Sequence, residues 1–170
     1  MGDGVVPDGD TFALFESKDL KAWTKIQDLK FPGHGECPDF FPMPVDGKKD
    51  NQKWVFTAAN GDYLIGTFDG KVFTTDGNAT RADYGANYYA VQTYSDIPAA
   101  DGRRIQISWM NGGKYPDMPF NQQMSFPCEM KLRTFPRDSG FAGCQSRRSR
   151  TSMARTTHGK TSLSKQAKIF

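Results

Sequence analysis

The chain has 170 residues, 37% of them hydrophobic, with a formal net charge of +3, enough length for one ordinary core. The charge divides in two: residues 1–136 carry 14 Lys/Arg against 18 Asp/Glu, a net of −4, while residues 137–170 carry 8 against 1, a net of +7. An aromatic-rich, mildly acidic first part argues against a nucleic-acid surface. No apolar run is long enough to span a membrane, and Cys37, Cys128 and Cys144 with two histidines lack metal-ligand spacing.

Met1-Gly2-Asp3-Gly4 has neither a basic start nor an apolar core, so no secretory signal is read there. Residues 1–10 are rich in Gly and Asp and read as a loop. Residues 11–15 form a short strand, and Asp19-Leu20 to Trp23 form a turn. Trp23 is read as a packing residue rather than a sugar platform.

Next comes Gly33-His34-Gly35-Glu36-Cys37-Pro38-Asp39-Phe40-Phe41. Glu36 stands between a glycine and a small residue followed by proline, with no helix face to solvate it. A glutamate entering an apolar strand is either paired or kept protonated, because burying a lone carboxylate is too costly. A carboxyl group kept protonated can donate a proton near neutral pH. The plain alternative is a rim strand with Glu36 turned to water.

Turn signals then follow at short intervals: Asp46-Gly47, Asn60-Gly61, Asp69-Gly70, Asp76-Gly77 and Asp101-Gly102. Asn-Gly and Asp-Gly favour two-residue hairpins in which both central residues take positive φ. Between the signals lie runs rich in aromatic and β-branched residues at 53–59, 63–68, 71–74, 88–94 and 104–110. The last of these alternates, placing Ile105, Ile107 and Trp109 on one face, with Trp109 expected in a core. No segment keeps a helical apolar period. The fold class is all-β, built of antiparallel hairpins, and a sandwich or a propeller fits the pattern.

From Arg137 the character breaks. Residues 139–170 hold ten Ser/Thr, and Leu163 and Ile169 are their only Leu, Ile or Val. Such a segment buries little apolar area, so disorder is expected. Three readings are open: a basic arm for nucleic acid or membrane, a solvated tail, or sequence out of frame with its ancestral gene.

Glu36-Cys37-Pro38-Asp39, followed by Phe40-Phe41-Pro42 and Val45-Asp46-Gly47, resembles the Glu-Cys-Pro-Asp motif of glycoside hydrolase family 32, the invertases, inulinases and levanases. Three further segments resemble that family, in its order. They are Ser17-Lys18-Asp19-Leu20-Lys21-Ala22-Trp23, the Asp-Tyr-Gly segment Asp83-Tyr84-Gly85 running on to Thr93, and Ile107 to Asn111 with Met124 to Leu132. The resemblance covers roughly residues 12–135. It implies a partial five-bladed β-propeller of about three blades over residues 1–136. Its abrupt end near Phe135-Pro136 favours the out-of-frame reading of the tail, residues 137–170.

The resemblance also implies an activity, hydrolysis of β-fructosidic bonds in a fructan or sucrose by a retaining mechanism, with no cofactor. Retention needs two carboxyl groups about 5–5.5 Å apart, and the resemblance makes Glu36 the acid/base. It places Asp83 at the pocket, holding sugar, although Asp83 and Gly85 also suit a plain turn. Tyr84 is expected to pack beside the pocket, Cys37 to tune the surroundings of Glu36, and His34 either to meet substrate or to face water. Asn87 stands where many relatives carry an acid. The family's nucleophile lies in an Asn-Asp-Pro motif and a supporting aspartate in an Arg-Asp-Pro motif, both upstream of the Glu-Cys-Pro-Asp motif. Neither tripeptide occurs in these 170 residues. The expectation is a truncated chain, inactive alone; the alternative is a non-catalytic carbohydrate-binding fragment. Family members are often secreted or periplasmic.

Overall fold

The computed structural model describes residues 11–31, 35–136 and 165–169. Among them every regular element is a strand: β1 (Thr11–Glu16), β2 (Thr24–Lys30), β3 (Asp39–Val45), β4 (Lys48–Thr57), β5 (Tyr63–Phe68), β6 (Phe73–Thr75), β7 (Tyr89–Thr93), β8 (Arg104–Met110), β9 (Gln123–Met124), β10 (Cys128–Met130), β11 (Leu132–Pro136) and β12 (Lys165–Ile169). They form three sheets, β1-β2, β12-β11-β3-β4-β5-β6, and β10-β8-β7 with β9 added to β8. β1–β2, β3–β6 and β7–β10 form the three sheets in chain order, β11 and β12 return to the edge of the middle one, and the sheets pack face to face as consecutive propeller blades do. The tail expected to be disordered or out of frame lies outside the described residues, except that Lys165–Ile169 pairs antiparallel with β11.

The middle sheet is buried on both faces, and its alternation sorts the core. Phe41, Met43, Val45, Val55, Tyr63 and Ile65 point one way, toward Met130 and Leu132. Phe56, Leu64 and Phe73, joined by half-buried Phe40, Trp54 and Phe68, point the other way, toward Leu29, Phe31 and Phe12 of the first blade. Successive strand residues face opposite sides of a sheet, so one strand serves two interfaces. Gln27 also ties the first blade to the second. Its Nε2 donates to the Phe73 carbonyl at 2.9 Å and its Oε1 accepts the Phe73 N–H at 2.6 Å.

The hairpin expectation holds in full at one turn. Asp46 (φ 55°) and Gly47 (φ 74°) both take positive φ and join β3 to β4. At Asn60-Gly61, Asp69-Gly70 and Asp101-Gly102 only the glycine does so, because these loops are longer than two residues. Asp76-Gly77 closes no hairpin; it follows β6 and opens the link to β7. β2 was not legible in the sequence. The register shifts from Leu14↔Gln27 to Phe15↔Lys25, leaving Ile26 as an extra residue. That bulge breaks the period-2 signal.

Two tryptophans depart from expectation. Trp23 is 55% exposed, with its indole N–H closing the turn onto the Leu20 carbonyl at 3.3 Å. Trp109 is 37% exposed, while Ser108 on the opposite face of β8 is fully buried. The face of β8 that packs inward is the one carrying Gln106, Ser108 and Met110, and that of Trp109 lies outward.

Three turn aspartates link stability to pH. Asp19 accepts the Ala22 and Lys21 N–H groups, Asp46 the Thr134 N–H and hydroxyl, and Asp69 the Val72 and Lys71 N–H groups. These bonds hold all three carboxyls below their ordinary value of 3.8. A depressed folded-state pKa stabilises the fold above the unfolded-state value, and that stabilisation is lost as pH falls through the folded-state value. The urea midpoint is therefore expected to be higher at pH 6 than at pH 3. Asp46→Asn should narrow the difference between the two, because it removes one of the three linked carboxyls.

Candidate active site

The Glu36 segment precedes β3 and is fastened to the start of β7. Pro38 fixes its own φ and favours an extended Cys37, since the residue before a proline is pushed out of the right-handed helical region. Cys37 nevertheless takes φ 49°. Such a conformation in a non-glycine residue costs of order 1–3 kcal/mol and persists only where its surroundings enforce it. The enforcing bonds come from β7 and from the loop after β4. Tyr89 donates its phenolic O–H to Glu36 Oε2, Gln92 Nε2 donates to the Cys37 carbonyl at 3.2 Å, and the Thr93 N–H donates to Asp39 Oδ2 at 2.9 Å. The Ala59 N–H donates to the Glu36 carbonyl at 2.9 Å, and the Ala59 carbonyl accepts the Val91 N–H at 3.2 Å.

β7 is irregular where it does this. Its register on β8 jumps from Tyr89↔Trp109 to Gln92↔Ile107, and Ala90 takes φ 48° inside the jump. A bulge of this kind re-aims side chains. The Glu36 side chain is exposed, Cys37 and Asp39 are half-buried, and Cys37 is a free thiol. Tyr89 is held in its protonated form. First its bond to Glu36, then burial, then the charges of Glu36 and Cys37 push the phenol above its ordinary value of 10.0.

Asp83 belongs to a second cluster. A cavity of about 330 Å³ opens beside β8 and β10, beneath the loop at 82–88. Asp83, Asn87, Tyr88, Gln106, Ser108 and Ser125 supply its polar lining. Asp83 Oδ1 accepts the Gly85 N–H at 2.6 Å, so part of the carboxylate serves the turn. Gln106 donates to the Tyr88 hydroxyl. Burial, and then the charge of Asp83, pushes the Tyr88 phenol far up. Ser108 Oγ is buried at this wall and has no hydrogen-bond partner among the described residues. Two glycines let neighbouring loops lie on this segment: a Cβ at Gly61 would strike the Tyr88 ring, and one at Gly112 would strike Asn87 Oδ1.

The structure thus puts Glu36, Cys37 and Asp39 together against β7, and Asp83 in the adjoining cavity, of which neither Glu36 nor Cys37 forms a wall. Tyr84 is 67% exposed, with the Arg81 guanidinium 5.6 Å from its ring centre. His34 lies outside the described residues. Among the described residues no group of three or more His, Cys, Asp or Glu could hold a metal ion. Sequence reasoning passed over Tyr89, Gln92 and Thr93. Nothing local separates Tyr89 from Tyr88; the bulge at Ala90 does.

Comparison with known proteins points one way. The sequence profile described as "Glycosyl hydrolases family 32 N-terminal domain" matches residues 4–140. The chain is 34% identical over 153 residues to a levanase of Bacillus subtilis, covering 77% of this chain and 23% of that protein. It is 30% identical over 150 residues to an extracellular exo-inulinase of Aspergillus niger, covering 72% and 27%. A solved Bombyx mori GH32 beta-fructofuranosidase superimposes with a TM-score of 0.52 at 24% identity, over 71% of this chain and 29% of that one. The chain therefore spans about a quarter of the length of these relatives.

Proposed function

The chain belongs to glycosyl hydrolase family 32, and from that membership we propose that it carries the acid/base portion of a retaining β-fructosidase site acting on a fructan or sucrose. The observation that supports this reading most is the fastening of Glu36. A strained, multiply bonded segment presents one exposed carboxyl whose Oε2 is held by Tyr89. In this role Glu36 protonates the leaving glycosidic oxygen, and the carboxylate left behind then takes a proton from the water that releases fructose.

Asp39 and Asp83 each give one carboxylate oxygen to a backbone N–H, Asp39 Oδ2 to that of Thr93 and Asp83 Oδ1 to that of Gly85. Neither an Asn-Asp-Pro nor an Arg-Asp-Pro motif is present in these 170 residues. Double displacement without a nucleophile does not proceed, so the 170-residue chain by itself holds sugar without turning it over. The cavity at Asp83 favours this second role. Its volume is at the low end for small-molecule pockets, and Asn87 and Asp83 offer the polar partners a sugar hydroxyl seeks.

The test is fructose release from levan, inulin and sucrose by the purified chain beside Glu36→Gln. The expected result is the same background rate for both. Release that vanishes in Glu36→Gln would show that another carboxylate, Asp83 or Asp39, serves as nucleophile, and would overturn the assignment of missing acids.

A further inference from the structure

A groove of about 570 Å³ lies between the second and third blades, and neither Glu36 nor Asp83 lines it. Pro42, Met43 and Pro44 of β3 form its floor. They follow Asp39 by three to five residues, which at strand rise is roughly 10–17 Å further along the chain. One wall is the connection from β7 to β8, with the Tyr94 ring on it.

Charge collects there against the trend of the chain. Residues 1–136 carry a net of −4 with 14 Lys/Arg, yet five of those bases, Lys49, Arg103, Arg104, Lys131 and Arg133, line this one groove. Three acids accompany them, a net of +2. Two of the acids are occupied by two of the bases. Asp101 holds the Arg103 guanidinium, with Nη2 to Oδ2 at 2.6 Å, and Glu129 stands 3.4 Å from the Lys131 ammonium. The third acid is Asp96. Arg133 also feels Asp46, whose carboxylate already accepts the Thr134 N–H and hydroxyl.

Arg104 is the base most firmly set. Its guanidinium lies over the Phe41 ring, 4.5 Å from the ring centre, and Nη1 donates to Thr93 Oγ1 at 3.2 Å. Arg104 is half-buried, yet among the described residues no carboxylate reaches ion-pair distance of it. A half-buried charge without a counter-charge is costly, and an anion from solution relieves that cost. A guanidinium already fixed on a ring loses little freedom when the anion arrives.

Phosphate suits such a site, because its oxygens accept paired N–H bonds from a guanidinium. The groove is wider than a bare phosphate needs and falls within the range of small-molecule sites. Beside the charges it offers Pro42, Pro44 and the Tyr94 ring, which is 41% exposed. On such surfaces the C–H face of a sugar ring packs. We propose that this groove is a second ligand site, for a phosphate group carried on a sugar, with Arg104 and Arg133 at the phosphate and Tyr94 beside the ring. The site stands whether or not Glu36 is the acid/base.

The test follows the backbone amide resonances of the whole chain during titration with fructose 6-phosphate, inorganic phosphate and fructose, with sodium chloride holding the ionic strength constant. Fructose 6-phosphate is expected to give saturable shifts at residues 94–104 and 131–133 and none at 36–39. Inorganic phosphate should bind the groove roughly tenfold more weakly, because it covers none of the apolar wall, and fructose should leave the groove unshifted. Arg133 makes no hydrogen bond or ion pair among the described residues, so Arg133→Gln should leave the fold intact. It should weaken fructose 6-phosphate by about tenfold or more, the loss of a charge-assisted hydrogen bond. Lys18→Gln makes the same change of net charge outside the groove and should bind as the wild type does. The proposal is overturned by the absence of saturable shifts in the groove, by shifts centred on 36–39 instead, by equal affinity for inorganic phosphate, or by Arg133→Gln binding as Lys18→Gln does.

Discussion

Replacing Phe56 with alanine is expected to cost about 3–5 kcal/mol, the range for truncating a large aromatic in a packed core. Phe56 is 2% exposed and sits on the side of the middle sheet that faces the first blade. Its ring meets Phe12 edge-on with centroids 5.2 Å apart, Phe31 at 5.5 Å and Phe40 edge-on at 6.1 Å. Phe12 belongs to the first blade, Phe31 follows it directly, and Phe40 belongs to the second, so the truncation opens a void where the two blades meet rather than within one of them. Small domains are stable by only about 5–15 kcal/mol, so the loss is a large share of the total. The check is the urea midpoint of Phe56→Ala beside Phe126→Ala. Phe126 is 85% exposed, and its truncation belongs with surface changes worth about 0.5 kcal/mol or less. Equal midpoints for the two variants would mean that the blade interface does not carry the stability.

The same residues explain what was legible beforehand. Strands β5 and β8 were read at their observed bounds, because each begins and ends on a change from apolar or aromatic residues to turn chemistry. The residues of 54–56 and 63–65 are apolar without interruption, which is what burial on both faces produces. β4 was read from residue 53 but begins at Lys48. The polar run from Lys48 to Gln52 carries no apolar signal, and its pairing with β3 is set by the Asp46-Gly47 turn instead. Trp109 was misplaced for a related reason. Alternation identifies two faces of β8 but not which is covered, and the covered face holds Ser108, a residue type that composition does not mark as core. At the site, Glu36 was found through its motif. Tyr89 escaped because its role depends on a one-residue register jump opposite Trp109, and a bulge at a non-glycine residue leaves little trace in sequence.

The largest functional effect is expected from restoring the missing acids. Fusing in frame, ahead of this chain, the upstream segment of a family 32 levanase that bears the Asn-Asp-Pro and Arg-Asp-Pro motifs should turn a chain without turnover into one that releases fructose. In that fusion Glu36→Gln is expected to lower kcat on sucrose by about 10²–10⁴-fold, the usual contribution of a positioned general acid/base. The loss should depend on the leaving group. Sucrose needs its leaving oxygen protonated, whereas a fructoside with an acidic phenol as leaving group departs without help. With the activated substrate the first step survives in Glu36→Gln, and the slow step becomes attack of water on the fructosyl-enzyme, which has lost its base. Azide needs no base, so adding it should restore turnover and yield fructosyl azide with retained configuration. A carboxyl that merely supported the fold would slow both substrates alike and would not respond to azide. The fusion also bears on how Glu36 is held. Retention requires the new nucleophile to lie about 5–5.5 Å from Glu36, and a carboxyl fastened through Tyr89, Ala59 and the bulge at Ala90 offers that partner a fixed target.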